Sequence, residues 1–349
     1  MKPTLLAALT CLTLAAAARA GAQATPSPGC APSNGLGFIC DLQKPEDLVQ
    51  VPGTRWVIAS GMETGAGLHL IDTRAKRAQR FYGADTPARP DRQRFPNCPG
   101  PLDARQAVLH GLSLRPAAGG RQTLYVTNHG GRESVEVFDV DVRGGAPSAT
   151  WVGCVLMPDN LAANSVAAFG DGTLVATVLY LPGKTAQDIF AGRDTGTVVM
   201  WTPGTSAFRR LPGTDLPGNN GIETAADDTR FFVVAMGLRR VVAFSRGDAP
   251  KPLGFAQLTG VNPDNVRMVG GRLIAAGMAL ADPSCPAGTP CPRGYVAQAI
   301  DPNTLAVTDV ARGPAAPPYT GTATAITVDG EIWLSSYNGD RVAYGPLPR

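Results

Sequence analysis

A short apolar segment that follows a tight turn recurs six times along the chain, and this repeat limits the fold more than any other feature. Each copy has the length of a β-strand, and each follows a cluster rich in Gly, Asp or Pro that predicts a turn. The six copies are RWVIASGM (55–62), TLYVTNH (123–129), TLVATVLY (173–180), RFFVVAMG (230–237), RLIAAGMA (272–279) and EIWLSSYN (331–338).

Most copies are followed by a further strand, and no helical periodicity of comparable length lies between them. The clearest of these further strands are SVEVFDV (134–140), GTVVMW (196–201) and RRVVAFS (239–245). A β-sandwich has a similar density of strands, but it does not repeat one unit six times. The sequence therefore predicts an all-β fold, a six-bladed β-propeller. We expect residues 45–349 to form this single domain, with an N-terminal arm over 25–44 before it.

The first residues predict export. The stretch MKPTLLAALTCLTLAAAARAGAQA has Lys2, then an apolar run from Leu5 to Ala18, then small residues suited to cleavage. This pattern is typical of a secretory signal peptide, here over residues 1–24. The run is shorter than the roughly 20 apolar residues that span a bilayer, and no other segment approaches that length. We expect an exported protein, periplasmic or secreted, with no transmembrane segment.

The cysteines fit an exported protein. Outside the signal peptide the chain has six cysteines, and an even number in such a protein favours disulfide bonds. SCPAGTPC resembles a locally closed loop through Cys285 and Cys291. Cys30 with Cys40 would hold the N-terminal arm, which leaves Cys98 with Cys154, although other pairings are open. The absence of CxxC spacing or a Cys/His cluster argues against zinc.

Charge and composition narrow the choice of partner. The formal net charge is +3, and no Lys/Arg block or basic patch with interleaved aromatic residues occurs in the sequence. Nucleic acid is therefore not an expected partner. The expected partner is a small molecule, and the sequence does not indicate an oligomeric state.

Two of the three histidines bracket one predicted hairpin. His110 begins HGLSL and His129 ends TLYVTNH, so the two lie at the same mouth of the propeller channel. Cross-strand neighbours are about 5 Å apart, which is close enough for two imidazoles to pair. A coupled pair of imidazoles is suited to act as a general base near neutral pH. The alternative is a chance pair of polar residues at strand ends, and the pair taken alone favours that alternative; the catalytic interpretation of His110 and His129 depends on the residues around them.

Oxygen-bearing side chains begin the innermost strands of the other blades in phase with the repeat. Intervals of 64, 54, 56 and 44 residues, about one blade each, separate successive members of the series Glu46, His110, Asn164, Asn220 and Asp264. Asn265 follows directly after Asp264. Carboxylates and amides that converge on the channel axis provide the hard oxygen ligands that Ca²⁺ prefers, and zinc or copper ligands are missing from the set.

These stretches resemble the paraoxonase/lactonase family, within the wider gluconolactonase-like group of six-bladed calcium propellers. The matching segments cover most of the chain from Glu46 to Ser336; they are PEDL, HGLSL…LYVTNHGGRESVEVF, LAANSVAAFG, NNGIETAADDTRFFVVA, PDNVRMVGGRLIAAGM and GTATAITVDGEIWLSS. The histidine pair, with Asn before the second, is the most specific match. It favours the paraoxonases over plain sugar lactonases, which lack the pair.

The resemblance implies a catalytic calcium, with His110 as the base that activates water and His129 as its partner. The implied calcium ligands are Glu46, Asn164, Asn220, Asp264 and Asn265.

The resemblance also implies a second, structural calcium, which this chain matches incompletely. Two of its ligands map to the side chain of Asp47 and the backbone carbonyl of Leu112, whereas the third falls on Ser165, which carries no charge. A family disulfide between the N-terminal arm and the last strand is also missing, because RVAYGPLPR has no cysteine. Ring closure is then expected to depend on strand pairing or on other bridges.

Together these features predict an exported calcium-dependent hydrolase that opens lactones, with aryl or other esters open as further substrates. Two alternatives are open. One is a non-catalytic propeller, stabilised by calcium, that serves as a binding module, because fold does not dictate function. The other is a sugar lactonase that does not use the histidine pair.

Overall fold

A computed structural model of the protein describes residues 28–285 and 291–348. Its strands form six four-stranded antiparallel sheets, so the predicted six-bladed β-propeller is confirmed. The predicted signal peptide, residues 1–24, lies outside the described residues. None of the helices in the described ranges is long and apolar enough to cross a membrane.

Each blade is a meander of four strands, numbered here in chain order. Blade 1 contains β2 (Leu48–Gln50), β3 (Trp56–Ala59), β4 (Leu68–Asp72) and β5 (Arg77–Tyr82). Blade 2 contains β6 (Leu109–Ala117), β7 (Arg121–Asn128), β8 (Ser134–Asp141) and β9 (Ser148–Leu156). Blade 3 contains β10 (Val166–Ala168), β11 (Leu174–Val178), β12 (Thr197–Trp201) and β13 (Arg209–Arg210).

The second half of the chain repeats this arrangement. Blade 4 contains β14 (Asn219–Thr224), β15 (Arg230–Ala235), β16 (Arg240–Ser245) and β17 (Pro252–Gln257). Blade 5 contains β18 (Val261–Val269), β19 (Arg272–Ala279), β20 (Tyr295–Ile300) and β21 (Val307–Gly313). Blade 6 contains β22 (Thr322–Val328), β23 (Glu331–Ser336), β24 (Val342–Pro346) and β1 (Gly37–Ile39). One short helix, α1 (Ala186–Phe190), lies between β11 and β12.

The first strands of neighbouring blades contact one another in a closed ring, so they line the central channel. The second strands are the six repeated apolar segments of the sequence. These strands are buried on both faces because each blade packs against its neighbours, which explains continuous apolar runs such as the fully buried β11. The repeated apolar segments of the sequence are thus the strands that are buried between neighbouring blades.

The N-terminal arm closes the ring. Strand β1 pairs antiparallel with β24, with Phe38 opposite Ala343, and supplies the outermost strand of blade 6. A disulfide bond between Cys30 and Cys40 brackets this strand. Closure by strand pairing is therefore as expected for a chain that has no cysteine in its last strand.

The other two favoured cysteine pairs are also present. Cys98 and Cys154 tie the long connection between β5 and β6 to strand β9. Cys285 and Cys291 close the loop between β19 and β20. The third histidine, His69, is a buried residue of β4, which fits a structural role.

Candidate metal centre and histidine pair

Irregularities at the starts of the innermost strands position the candidate site. The first-to-second-strand pairing shifts register in four of the six described blades, and three of the shifts leave His110, Asn220 and Asp264 within the bulged segments. A bulge leaves a residue unpaired and changes the direction of its side chain. Glu46 and Asn164 instead lie two positions before β2 and β10, outside the ladders. These five side chains are thereby freed from the regular alternation of their strands, whereas Asn265 is paired with Ala276 in the ladder.

Glycines allow neighbouring inner strands to approach closely at this level. A Cβ atom on Gly111 would lie 2.6 Å from Cα of Ser165 and 2.9 Å from the carbonyl oxygen of Asn164. A Cβ atom on Gly221 would lie 2.6 Å from Cα of Asn265. Since such distances are shorter than real contacts, any other residue at Gly111 or Gly221 would push adjacent blades apart. The two glycines follow directly after His110 and Asn220.

Four of the five predicted calcium ligands have a buried oxygen without a hydrogen-bond partner. These atoms are Glu46 Oε2, Asn164 Oδ1, Asn220 Oδ1 and Asn265 Oδ1. A buried polar atom without a partner costs about 1–3 kcal/mol, so four among the predicted ligands require a physical explanation. An oxygen that faces a cation needs no hydrogen-bond donor. The donor set of carboxylates and amides therefore fits a hard divalent ion such as Ca²⁺.

Contacts join four of the five predicted ligands with His110 into one cluster, and the backbone of Asn164 lies next to Gly111, the residue after His110. Asn265 Nδ2 donates to Glu46 Oε1 at 2.6 Å, and Glu46 Oε2 lies 3.5 Å from His110 Nε2. Asp264 is close enough to Asn220, Glu46 and His110 for all three to affect its ionisation. Burial and the negative charge of Glu46 together raise the pKa of Asp264 to about 7. Two neighbouring acids of this kind favour a bound cation.

A repeated hydroxyl orients the strands that carry the ligands. In four blades a Ser or Thr of the second strand region accepts a backbone N–H from the start of the inner strand; these residues are Ser60, Thr127, Thr177 and Ser335. Three of them also donate to the carbonyl oxygen of a ligand residue in the next blade: Thr127 to Asn164 at 3.2 Å, Thr177 to Asn220 at 2.5 Å, and Ser335 to Glu46 at 2.5 Å. Sequence reasoning missed these hydroxyls, although they recur at one position of the repeat.

The two histidines are hydrogen-bonded to each other beside this cluster. His110 Nδ1 lies 3.0 Å from His129 Nε2, as expected for strand ends at one mouth. His129 Nδ1 lies 2.9 Å from Glu133 Oε2. Because a carboxylate only accepts, His129 donates from Nδ1, its Nε2 accepts from His110 Nδ1, and His110 Nε2 is left with a lone pair.

Glu133 was not anticipated from the sequence. It lies four residues after His129 in HGGRE, and an acid in so short a loop is the signal that points to it. The side chain of Asn128 supports this loop, since its Nδ2 donates to the carbonyl oxygens of Gly130 at 2.9 Å and Arg132 at 2.7 Å. Glu133, His129 and His110 form a chain of hydrogen bonds, called the relay here. The exposed fraction of the side chains falls along it, from 37% for Glu133 to 24% for His129 and 12% for His110. The relay thus connects solvent to the channel interior.

Charges near His110 favour its protonated form. Burial lowers the pKa of this imidazole, but the negative charge of Glu46, followed by those of Asp264 and Glu133, outweighs burial and raises the pKa above its usual value. This geometry equips His110 to accept a proton at Nε2 from a group on the channel axis.

The residues implied for a second ion have a different arrangement. Both oxygens of Asp47 accept hydrogen bonds from protein donors, including the guanidinium of Arg267. Leu112 turns its backbone N–H toward Asp47 Oδ2, at 2.7 Å. Ser165 Oγ is buried without a hydrogen-bond partner. Asp47 and Leu112 therefore lie in contact, but both side-chain oxygens of Asp47 are already occupied by protein donors.

Exposed apolar side chains lie in loops of three blades at the mouth where the histidines lie. Four of the six exposed large hydrophobic residues within the described ranges belong to loops that join second to third strands at this mouth; they are Tyr180, Phe190, Leu238 and Leu280. Phe190 is 66% exposed at the end of α1. The loops come from three successive blades, 3, 4 and 5.

No protein-family model and no curated protein matches the chain, whereas solved structures do. A gluconolactonase from Xanthomonas campestris superimposes with a TM-score of 0.54 at 17% identity, covering 93% of this chain and 94% of that chain. A luciferin-regenerating enzyme has a TM-score of 0.52 at 12% identity, covering 87% of this chain and 92% of that chain.

A calcium-binding regucalcin from Agrobacterium tumefaciens has a TM-score of 0.51 at 12% identity, covering 89% of this chain and 94% of that chain. At identities this low, the likeness concerns the fold. The chain thus has the propeller fold of the gluconolactonase- and regucalcin-like proteins.

Proposed function

We propose that this chain is an exported calcium-dependent hydrolase that opens lactones. The observation that carries the proposal is the set of buried oxygens without partners, contributed by Glu46, Asn164, Asn220 and Asn265 beside the acid Asp264. The similar gluconolactonase and calcium-binding regucalcin support the same class of chemistry. The three disulfide bonds support export.

The five ligand residues would hold the ion at the axis, next to His110. The chemistry that a calcium ion supplies when bound there is Lewis-acid polarisation of a carbonyl oxygen and stabilisation of the negative charge that develops on it. Glu46 and Asp264 would provide the two negative charges of the site. The three asparagines would complete it with neutral oxygens, which leaves room for a substrate oxygen.

His110 is proposed to act as the general base. Its Nε2 takes a proton from water while the water oxygen forms a bond to the lactone carbonyl carbon. The ring C–O bond then breaks, and His110 returns the proton to the departing oxygen. His129 accepts a hydrogen bond from His110 Nδ1 and so stabilises the protonated ring. Glu133 acts as a positioning residue that fixes the tautomer of His129.

The apolar loops at this mouth favour lactones or esters with an apolar substituent over sugar lactones. Tyr180, Phe190, Leu238 and Leu280 offer a surface that an acyl or aryl group would bury, at about 25 cal/mol for each Å². Polar hydroxyls of a sugar would lose hydrogen bonds to water there.

Hydrolysis of a panel of aliphatic, aromatic and sugar lactones, with and without a chelator, tests the proposal. We expect turnover that a chelator abolishes and that added calcium restores. No turnover on any lactone or ester would instead support a binding module. Undiminished sugar-lactone hydrolysis by a His110→Gln/His129→Gln double variant would support the sugar lactonase that does not use the pair.

Replacement of Glu133 by Gln is expected to lower kcat about tenfold while bound calcium is unchanged. The amide keeps the size of the side chain but loses the charge that stabilises the protonated pair. Glu63→Gln is the matched control, because Glu63 is an exposed acid in a loop of the same mouth and its ion pair is with Lys44. Steady-state rates measure the change in kcat, and metal content measures the bound calcium. Equal kcat values for Glu133→Gln and Glu63→Gln would remove Glu133 from the relay.

A further inference from the structure

A second acidic group lies at the centre of the propeller, and protein donors satisfy it completely. Asp47 is fully buried, and its Oδ1 accepts from Leu48 N at 2.8 Å, Thr324 Oγ1 at 2.8 Å and Arg267 Nε at 3.0 Å. Its Oδ2 accepts from Leu112 N at 2.7 Å and from Arg267 Nη2. The donors come from blades 1, 2, 5 and 6.

The guanidinium of Arg267 meets this carboxylate with two adjacent N–H groups. Such bidentate pairing is the strongest geometry available to arginine. Arg267 Nη1 donates to the carbonyl oxygens of Val266 at 2.9 Å and Ile222 at 3.3 Å, which adds blade 4 to the connected blades. The side chain of Arg267 is only 4% exposed. The pair therefore connects five of the six blades at the axis.

The two acidic centres of the channel differ in whether their oxygens have hydrogen-bond partners. At the cluster around Glu46 and Asp264, amide and carboxylate oxygens have no partner. At Asp47 neither oxygen is left without a partner, and a positive charge is already present. An arginine guanidinium is charged at neutral pH, and Arg267 directs two N–H groups at the two oxygens of Asp47. Ser165, the remaining position implied for a second ion, adds no charge.

We propose that Arg267 takes the place of a second cation at Asp47, so that any ion this chain binds lies at the five axial ligands. The propeller is then held at its centre by an internal ion pair instead of a structural metal. A buried carboxylate needs a counter-charge, and a side chain of the protein provides it at all calcium concentrations. The centre of the ring at Asp47 thus needs no calcium, whereas the proposed catalytic centre does.

A count of bound ions tests the first part of this inference. The wild-type protein and Asp264→Asn are dialysed to equilibrium against calcium, and the calcium bound per chain is measured by elemental analysis. We expect one ion in the wild type and none in Asp264→Asn, and we expect a chelator to leave the Tm of Asp264→Asn unchanged. Two ions in the wild type, an ion retained by Asp264→Asn, or a chelator-induced fall in its Tm would overturn the inference.

The second part is tested by removal of one partner or both. Arg267→Met is expected to lower the Tm by on the order of 5–10 °C, because it leaves a buried charge without a counterion. Asp47→Asn/Arg267→Met is expected to regain part of that loss, since no uncompensated charge is then left. Arg312→Met is the matched control, because Arg312 forms an exposed ion pair with Asp309 in the same blade. A Tm for Arg267→Met equal to that of Arg312→Met would overturn the role of Arg267; the ion count decides the case if Arg267→Met does not fold.

Discussion

Asp264→Asn is expected to abolish calcium binding and lactone hydrolysis together. The substitution keeps the shape of the side chain and its contact with Asn220, but it removes one of the two negative charges of the site. Calcium affinity depends on the number of charged ligands, so we expect the Kd to rise by more than about 100-fold. Turnover should fall by at least about 10²–10³, the usual effect of losing an oxyanion stabiliser. Isothermal titration with calcium and hydrolysis assays measure the two effects.

Without metal, the same substitution is expected to stabilise the protein. In the presence of a chelator, burial and then the negative charge of the neighbouring Glu46 raise the pKa of Asp264 to about 7. Removal of one charge is therefore expected to raise the Tm of the chelated protein above that of the chelated wild type. Asp301→Asn is the matched control, because Asp301 is an acid of the same blade in the turn after β20. Normal calcium affinity in Asp264→Asn would remove Asp264 from the ligand set.

His110→Gln is expected to slow turnover by about 10² to 10⁴ and to leave calcium bound. Loss of a general base has an effect of this size, and glutamine cannot accept and return the proton. The ligand oxygens are not altered, because His110 is not itself a proposed ligand; its Nε2 lies 3.5 Å from Glu46 Oε2. Metal content and kcat, measured on the same sample, separate chemistry from binding.

His129→Gln is expected to have a smaller effect on kcat than His110→Gln. His129 is one step further from the channel axis, at 3.0 Å from His110 Nδ1, so its loss should reduce kcat less than the loss of His110. If His110→Gln has the wild-type kcat, or if it loses calcium, His110 is not the base. A larger defect in His129→Gln than in His110→Gln would reverse the proposed order of the relay.

The blade count and the neighbourhood of the site residues were predictable because both follow from a period in the sequence. A strand repeat of about one blade places His110, Asn164 and Asn220 at equivalent positions, and equivalent positions in a propeller face one axis. The pairing of His110 with His129 follows from hairpin geometry alone.

The supporting contacts were not predictable, because they join residues far apart in the chain. Arg267 meets Asp47 across 220 positions, and nothing in DNVRM distinguishes this arginine from one on a solvent-facing strand. The bulges at His110 and Asp264 depend on how neighbouring blades pack, which a single strand does not encode. Glu133 lies in a five-residue loop whose geometry depends on Asn128.

Crystallographic location of calcium, by anomalous diffraction from crystals grown with the ion, tests the central claim most directly. The account predicts one ion at about 2.3–2.6 Å from side-chain oxygens of the axial ligands, beside His110, and none at Asp47; those ligands are Glu46, Asn164, Asn220, Asp264 and Asn265. Calcium bound elsewhere in the protein, with these oxygens bonded to water or to one another, would contradict it.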